Sequence, residues 1–414
     1  MMIEYKQKTL ANGMEVVVHP DTGSSVVVVN VAYKVGSRDE SPDKTGFAHL
    51  FEHLMFSGSV NVPSYDEPLQ KAGGENNAYT TPDYTNYYLT VPAENLETGL
   101  WLESDRMLGL AFNEKGLEVQ RKVVVEEFKQ RYLNQPYGDV WHKLRELAYT
   151  KHSYQWPTIG KITQHIEDSK MEDVRAFFET YYIPNNAVLV LAGNITPEKG
   201  FELAEKWFGN IPKGKDIQRK IPVEPTQTEK RFLSVDAKVP VNAFYKVFHM
   251  PERISNDYFT ADLLSDILGR GKSSMLYKEL VENQSVFSEL SAYVTGSIDP
   301  GLLVISGRLL KDVSFEDAEQ KIDEIINQVI EKGVESAQLE KARNQALASH
   351  AFGEIDLLDR AQNLAYGFIL GDIDHANKEP ELLKQVTESD INQMAKSILR
   401  ESNASTMYYK AIEN

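Results

Sequence analysis

His49, Glu52 and His53 are the residues of this 414-residue chain whose types and spacing could do chemistry. The two histidines stand four positions apart, which places both imidazoles on one face of a helix, one turn above the other. That is the geometry of a two-histidine metal site. Glu52 follows His49 by three positions and shares the face, so its carboxylate can reach a water activated there and serve as a general base.

The order His-x-x-Glu-His inverts the commoner metalloprotease helix and is a zinc-peptidase pattern in its own right. The surroundings agree with a helix. Thr45 and Gly46 offer an N-terminal cap, Phe47, Leu50, Phe51 and Leu54 follow helical apolar spacing, and Ser57-Gly58-Ser59 stops the run. The plain alternative is a core helix whose histidines are only hydrogen-bonded. Two His and a Glu on one apolar helix are, however, expensive to bury without a metal or other partners.

Two histidines leave a zinc site incomplete, since a catalytic site takes three protein ligands, and a carboxylate suits the third place. With no cysteine in the chain, every ligand must be His, Asp or Glu. A helix beginning near Glu114 and running through Lys129 carries two candidates, Glu126 and Glu127. Adjacent residues lie about 100° apart on a helix, so only one can face the site, and spacing alone does not choose between them.

The elements that must position these residues read as α+β. Met14 to Val18 is a short strand closed by His19 and Pro20, and Ser25 to Val35 is a long buried strand. Asp21-Thr22-Gly23 turns the chain between them, so a β-hairpin is expected to lead into the histidine helix. His19 reads as a strand-end residue, and His142, His152 and His165 as packing or surface residues rather than ligands. Gly73 to Thr80 and Thr85 to Val91 form a second strand pair, whose exposed edge could accept an extended peptide. A helical pattern covers Ala93 to Leu110, and Ala187 to Gly193 is another buried strand.

Residues 211–230 hold three prolines and few large apolar residues and read as a linker between domains 1–210 and 231–414. The second stretch repeats the first. Glu114-Lys115-Gly116 and Leu147-Ala148-Tyr149 recur 217 residues later as Glu331-Lys332-Gly333 and Leu364-Ala365-Tyr366. Tyr33-Lys34-Val35 recurs as Tyr245-Lys246-Val247. A duplicated α+β unit follows, with one metal centre, because the counterpart of the histidine helix, Thr260 to Gly269, contains no histidine.

A net charge of −17 and 42% hydrophobic residues describe a chain able to bury large cores and disfavour nucleic acid or anionic membrane as partners. No window has the apolar length of a membrane span, and the first residues lack a secretory core, so a cytoplasmic location is expected, or a periplasmic one had a leader been removed.

Taken together, His49-Leu50-Phe51-Glu52-His53, Gly73-Gly74 with Asn77-Ala78-x-Thr80, Arg121 to Glu127, Tyr182-x-Pro184-Asn185-Asn186 and Gly271-Lys272-Ser273-Ser274-x-Leu276-Tyr277 resemble the pitrilysin or insulinase family of zinc peptidases. The likeness covers essentially the whole chain and is greatest to the short-chain branch that includes mitochondrial processing peptidase. The resemblance implies two homologous α/β-sandwich halves, one Zn²⁺ per chain, and Glu127 rather than Glu126 as third ligand. It also implies Asn77 and Ala78 as substrate-binding residues. Where the family commonly has a glutamate in the shell around the ligands, this chain has Gln120.

A further departure concerns the second half. Where family members that work alone carry an Arg and a Tyr that bind substrate and stabilise the oxyanion, this chain has Val281 and Ser288. The resemblance therefore implies the zinc-bearing subunit of a two-subunit endopeptidase acting on unfolded peptides, with a homologous partner supplying that pair, or else a homodimer. The rival expectations are a structural subunit of the same fold without hydrolysis and a peptide-binding module that holds zinc but turns nothing over.

Overall fold

The computed structural model describes residues 2–412. Eleven strands are present among them: β1 (Lys6–Thr9), β2 (Glu15–Pro20), β3 (Val26–Tyr33), β4 (Glu75–Thr80), β5 (Thr85–Pro92), β6 (Ala187–Gly193), β7 (Arg231–Ala237), β8 (Ala243–His249), β9 (Phe287–Val294), β10 (Leu302–Leu309) and β11 (Ala404–Ala411). They make a six-stranded sheet ordered β1-β2-β6-β3-β5-β4 and a five-stranded sheet ordered β7-β11-β8-β10-β9.

The second order repeats the first from β2 onward. In both sheets the first pair of the shared order is parallel, β2 with β6 and β7 with β11, and the remaining ladders, β1 with β2 included, are antiparallel. The duplication is thus a duplication of topology. Of the sequence matches, Leu147-Ala148 and Leu364-Ala365 lie on helices Val140–Ala148 and Leu357–Leu370. The tyrosine match is not equivalent, since Tyr33 ends β3 while Tyr245 lies inside β8.

The expected hairpin of β2 and β3 does not form. β6 lies between them, parallel to β2 and antiparallel to β3. Every residue of β6 is buried, as a central strand requires. A turn at Asp21-Thr22-Gly23 brings two strands to one end of a sheet without making them neighbours.

The chain forms two compact units. The first comprises Met1–Leu133, His152–Pro222 and Ala351–Asn377, the second Asn134–Lys151, Val223–His350 and Lys378–Asn414. They differ from the contiguous stretches 1–210 and 231–414 by an exchange of one helix in each direction: Leu357–Leu370 packs on β6 and β3, and Val140–Ala148 packs on β7, β11 and β8. Residues 211–230 contain no helix or strand.

In the first unit, Val27, Val29, Val31 and Tyr33 of β3 enter one core with Tyr87, Leu89 and Val91 of β5. Val28, Asn30 and Ala32 on the opposite face are buried too. Two buried faces explain why β3 reads as a nearly unbroken apolar run rather than an alternating one. The helix Phe47–Leu54 contacts β4 and a second helix, Glu114–Phe128, and these three elements build the site.

Candidate metal centre

The histidine helix is held at its N-terminus by a residue outside it. Gly46, the cap position, has φ +86° and comes so close to the Ile159 carbonyl that a Cβ there would stand 2.5 Å from its oxygen, so only glycine fits. Thr45 is thereby turned away and spends its N–H and hydroxyl on His165 Nδ1 at 3.2 and 2.8 Å. The expected Thr45 cap is replaced by Glu40. Its Oε2 accepts the Gly46 N–H (2.9 Å), its Oε1 the Ala48 N–H (2.8 Å), and Trp156 Nε1 donates to Oε2 at 3.1 Å. Burial pushes the Glu40 carboxyl up to about 8 against the pull of these three donors.

Phe47, Leu50, Phe51 and Leu54 face the core, so the opposite face carries His49, Glu52 and His53. The imidazoles of His49 and His53 are 4.8 Å apart between ring centres. Glu127, from the neighbouring helix, meets them: its Oε2 lies 3.4 Å from His53 Nε2 and 3.8 Å from His49 Nε2. Among the described residues, His49, His53 and Glu127 form the one group of three or more such side chains whose ligand atoms all lie within 4.8 Å of one another. Glu126 points elsewhere, to Lys129 Nζ at 2.8 Å. The arrangement that spacing left open is decided by tertiary contact.

These residues fit a zinc ion. Tetrahedral zinc with bonds of about 2.0–2.1 Å needs ligand atoms about 3.3 Å apart, and the Glu127 oxygen stands 3.4 and 3.8 Å from the two Nε2 atoms. Burial, and next the neighbouring His53, lower His49 to about 4, so it stands as a neutral imidazole with a free lone pair. The contact with His53 holds the Glu127 carboxyl below its ordinary value, which favours its anionic form. The other ring nitrogen of His49, Nδ1, is buried and has no hydrogen-bond partner among the described residues.

Glu52 does not join this group. Its Oε2 accepts the hydroxyl of Thr80, from β4, while Oε1 has no hydrogen-bond partner among the described residues. Burial raises its carboxyl and the Thr80 bond opposes the rise.

The remaining sequence-based candidates lie around or away from this centre. Asn77 and Ala78 are on β4, the last strand of its sheet, with one side paired to β5. Gln120 donates to Ser57 Oγ at 3.0 Å, and Ser57 Oγ lies 3.4 Å from the His53 carbonyl, so Gln120 touches the end of the histidine helix rather than a ligand side chain. His19 is the last residue but one of β2 and bonds to the Glu4 carbonyl (2.6 Å). In the second unit, Val281 packs against that unit's core and Ser288 donates to the Arg308 carbonyl at 3.2 Å.

Sequence reasoning missed three participants. Arg131, four positions after Glu127, holds its Oε1 at 2.9 Å, a spacing that could have announced it. Glu40 reaches the helix from a loop, and nothing local marks it; Thr80 belongs to the motif on which the resemblance rests, but its bond to Glu52 is not announced by spacing.

The family relationship is now decidable. Residues 15–161 match the model for "Insulinase (Peptidase family M16)", and residues 170–346 match "Peptidase M16 inactive domain". The chain belongs to the M16 peptidase family. It is 28% identical over 416 residues to "Zinc protease PqqE" of Helicobacter pylori, covering 98% of this chain and 93% of that protein. It is 27% identical to "Uncharacterized zinc protease YmxG" of Bacillus subtilis, covering 83% of each. Among solved structures, a protease from Helicobacter pylori matches with a TM-score of 0.92 at 27% identity over 99% of this M16 chain and 100% of the other. Pitrilysin matches in fold, with a TM-score of 0.79 at 20% identity, across 99% of this chain and 45% of its own.

Proposed function

We propose that this M16 chain is a zinc-dependent endopeptidase that hydrolyses unfolded peptides. The observation that carries the reading is the convergence of His49 Nε2, His53 Nε2 and Glu127 Oε2 beside a glutamate with one unbonded carboxylate oxygen. The zinc-protease names of its relatives support the same reading. One zinc ion per chain, held by those three atoms, would supply acidity to a water and polarise the scissile carbonyl.

Glu52 does the proton work. Its carboxylate takes a proton from the water as the new C–O bond forms at the peptide carbonyl carbon. It then returns that proton to the amide nitrogen as the C–N bond breaks. Burial raises its carboxyl above the ordinary glutamate value, which makes it a better proton acceptor. Asn77 and Ala78, on the strand that ends the sheet, offer backbone groups to which a substrate can add as a strand.

Val281 and Ser288 favour a division of labour. Valine has no donor, and the serine hydroxyl is spent on the Arg308 carbonyl, so neither is placed to stabilise an oxyanion. A homologous subunit carrying an Arg and a Tyr would complete the enzyme, and without it the same chain would act as a zinc-holding, peptide-binding subunit.

The deciding experiment is cleavage of a mixture of quenched fluorescent peptides by the chain alone with zinc, with Glu52→Gln as the blank. Activity lost in the blank establishes the peptidase and removes the need for a partner. Silence alone, with activity on adding the homologous subunit, establishes the divided enzyme. Silence in both settings rejects hydrolysis.

A further inference from the structure

We propose that Thr80 is a positioning residue for Glu52: from the edge strand β4 its hydroxyl fixes one carboxylate oxygen and so aims the other at the reacting water. The inference rests on the reading of Glu52 as general base.

Glu52 sits on a short helix of eight residues, and its long side chain has no other hydrogen-bond partner among the described residues. A free glutamate side chain samples several rotamers, and holding it in one costs conformational entropy. Thr80 is suited to provide that constraint. A β-branched side chain in a strand is stiff at χ1, so the strand sets the direction of the hydroxyl. Thr80 faces Thr85 across the ladder, but Thr85 donates its own hydroxyl to the Val35 carbonyl at 2.9 Å and does not compete for Glu52. The single proton of Thr80 Oγ1 therefore goes to Glu52 Oε2, and Oε1 is left unbonded.

The placement links two tasks. Asn77, Ala78 and Thr80 belong to one six-residue strand paired on a single side. The backbone that would receive a peptide is the backbone that carries the hydroxyl orienting the base. A peptide docked on β4 thus meets a carboxylate already aligned by the same strand, without any side chain having to move.

The test compares Thr80→Val, which keeps the shape and removes the donor, with Thr80→Ser, which keeps the donor. In the quenched-peptide assay, Thr80→Val should lower kcat about 10- to 100-fold with KM within about twofold, and Thr80→Ser should return to within about threefold of wild type. Bound zinc per chain, measured by elemental analysis, should be the same in all three. Crystal structures of the metal-free proteins give a readout independent of turnover: the Glu52 carboxylate should leave its place in Thr80→Val and keep it in Thr80→Ser.

Wild-type kcat in Thr80→Val, an equal loss in both variants, a loss confined to KM or to zinc content, or an unmoved Glu52 in Thr80→Val each overturn the inference. Failure of the underlying reading looks different. Wild-type cleavage that survives Glu52→Gln removes the base itself, and with it any role for Thr80 in orienting one.

Discussion

Oε2 of Glu127 lies 3.4 Å from Nε2 of His53, across 74 positions of chain. The contact ties the histidine helix to the Glu114–Phe128 helix, and a metal shared between them would strengthen the tie. A ligand that binds only the folded state stabilises it by about 2.7 kcal/mol at a hundredfold excess over its Kd. Zinc is therefore expected to raise the melting temperature of the chain, a chelator to reverse the rise, and Glu127→Ala to abolish it. Glu126→Ala should leave the rise intact, since that carboxylate pairs with Lys129. Scanning calorimetry with and without chelator is the check, and an undiminished zinc response in Glu127→Ala would remove Glu127 from the ligand set.

Glu40 leads to a second prediction. Removing its carboxylate leaves the N–H groups of Gly46 and Ala48 without their acceptors at a buried helix terminus, and costs Trp156 one of its two. Glu40→Ala is expected to destabilise the chain by on the order of 3 kcal/mol and to weaken zinc binding, because the helix bearing both histidines loses its anchor. Urea unfolding and zinc titration measure the two effects. Unchanged zinc affinity alongside the stability loss would mean that the histidine pair does not depend on this anchor.

How much of this was legible beforehand follows from the range of each interaction. His49, Glu52 and His53 share a helix face, and face-sharing is written in spacing. The choice between Glu126 and Glu127 was not, because two adjacent carboxylates differ only in which neighbour they meet, and the neighbour is 74 positions away. Thr80 could be noticed as a residue of the β4 segment, but its bond to Glu52 is a tertiary event. The same holds for the topology. β2 and β3 were correctly read as strands, yet a run buried on both faces does not say which strand lies beside it, and β6 arrives from residue 187 to separate them. The exchanged helices hide for a similar reason: apolar spacing in Leu357–Leu370 marks the face to be buried, not the sheet that buries it.

Asn30 of β3 and Asn86 of β5 offer a test of buried polar pairing inside the sheet. Each amide donates to the other's carbonyl oxygen, at 2.9 and 3.0 Å, and both residues are fully buried. Losing one partner strands the other, so Asn30→Val alone should cost about 1–3 kcal/mol. Replacing both by valine should recover most of that loss, since no polar group is then left unpaired. Urea denaturation of the two single variants and the double variant gives the coupling, and additive losses would contradict the pairing.

The last prediction concerns acid and the exchanged helix. Arg360, on Leu357–Leu370, donates through Nη1 to His19 Nε2 (2.9 Å) and through Nη2 to Asp21 Oδ2 (2.8 Å), while His19 Nδ1–H donates to the Glu4 carbonyl (2.6 Å). This network needs a neutral imidazole with its proton on Nδ1. Burial and, in smaller measure, the Arg360 charge lower the pKa of His19, while the Glu4 carbonyl opposes them. The sign follows from the folded value lying below the ordinary 6.5. In that window the unfolded chain binds the proton that the folded chain refuses, so stability is full above about pH 6.5 and falls as the pH drops towards the folded value. Other groups titrate in the same range, and the wild type must be compared with His19→Gln, whose amide oxygen can still accept from Arg360 without titrating. The stability difference, wild type minus variant, measured in urea at pH 7.5 and pH 5, should shift against the wild type at the lower pH. A difference that stays constant would mean that His19 is protonated alike in both states and that the Arg360 contact does not require its neutral form.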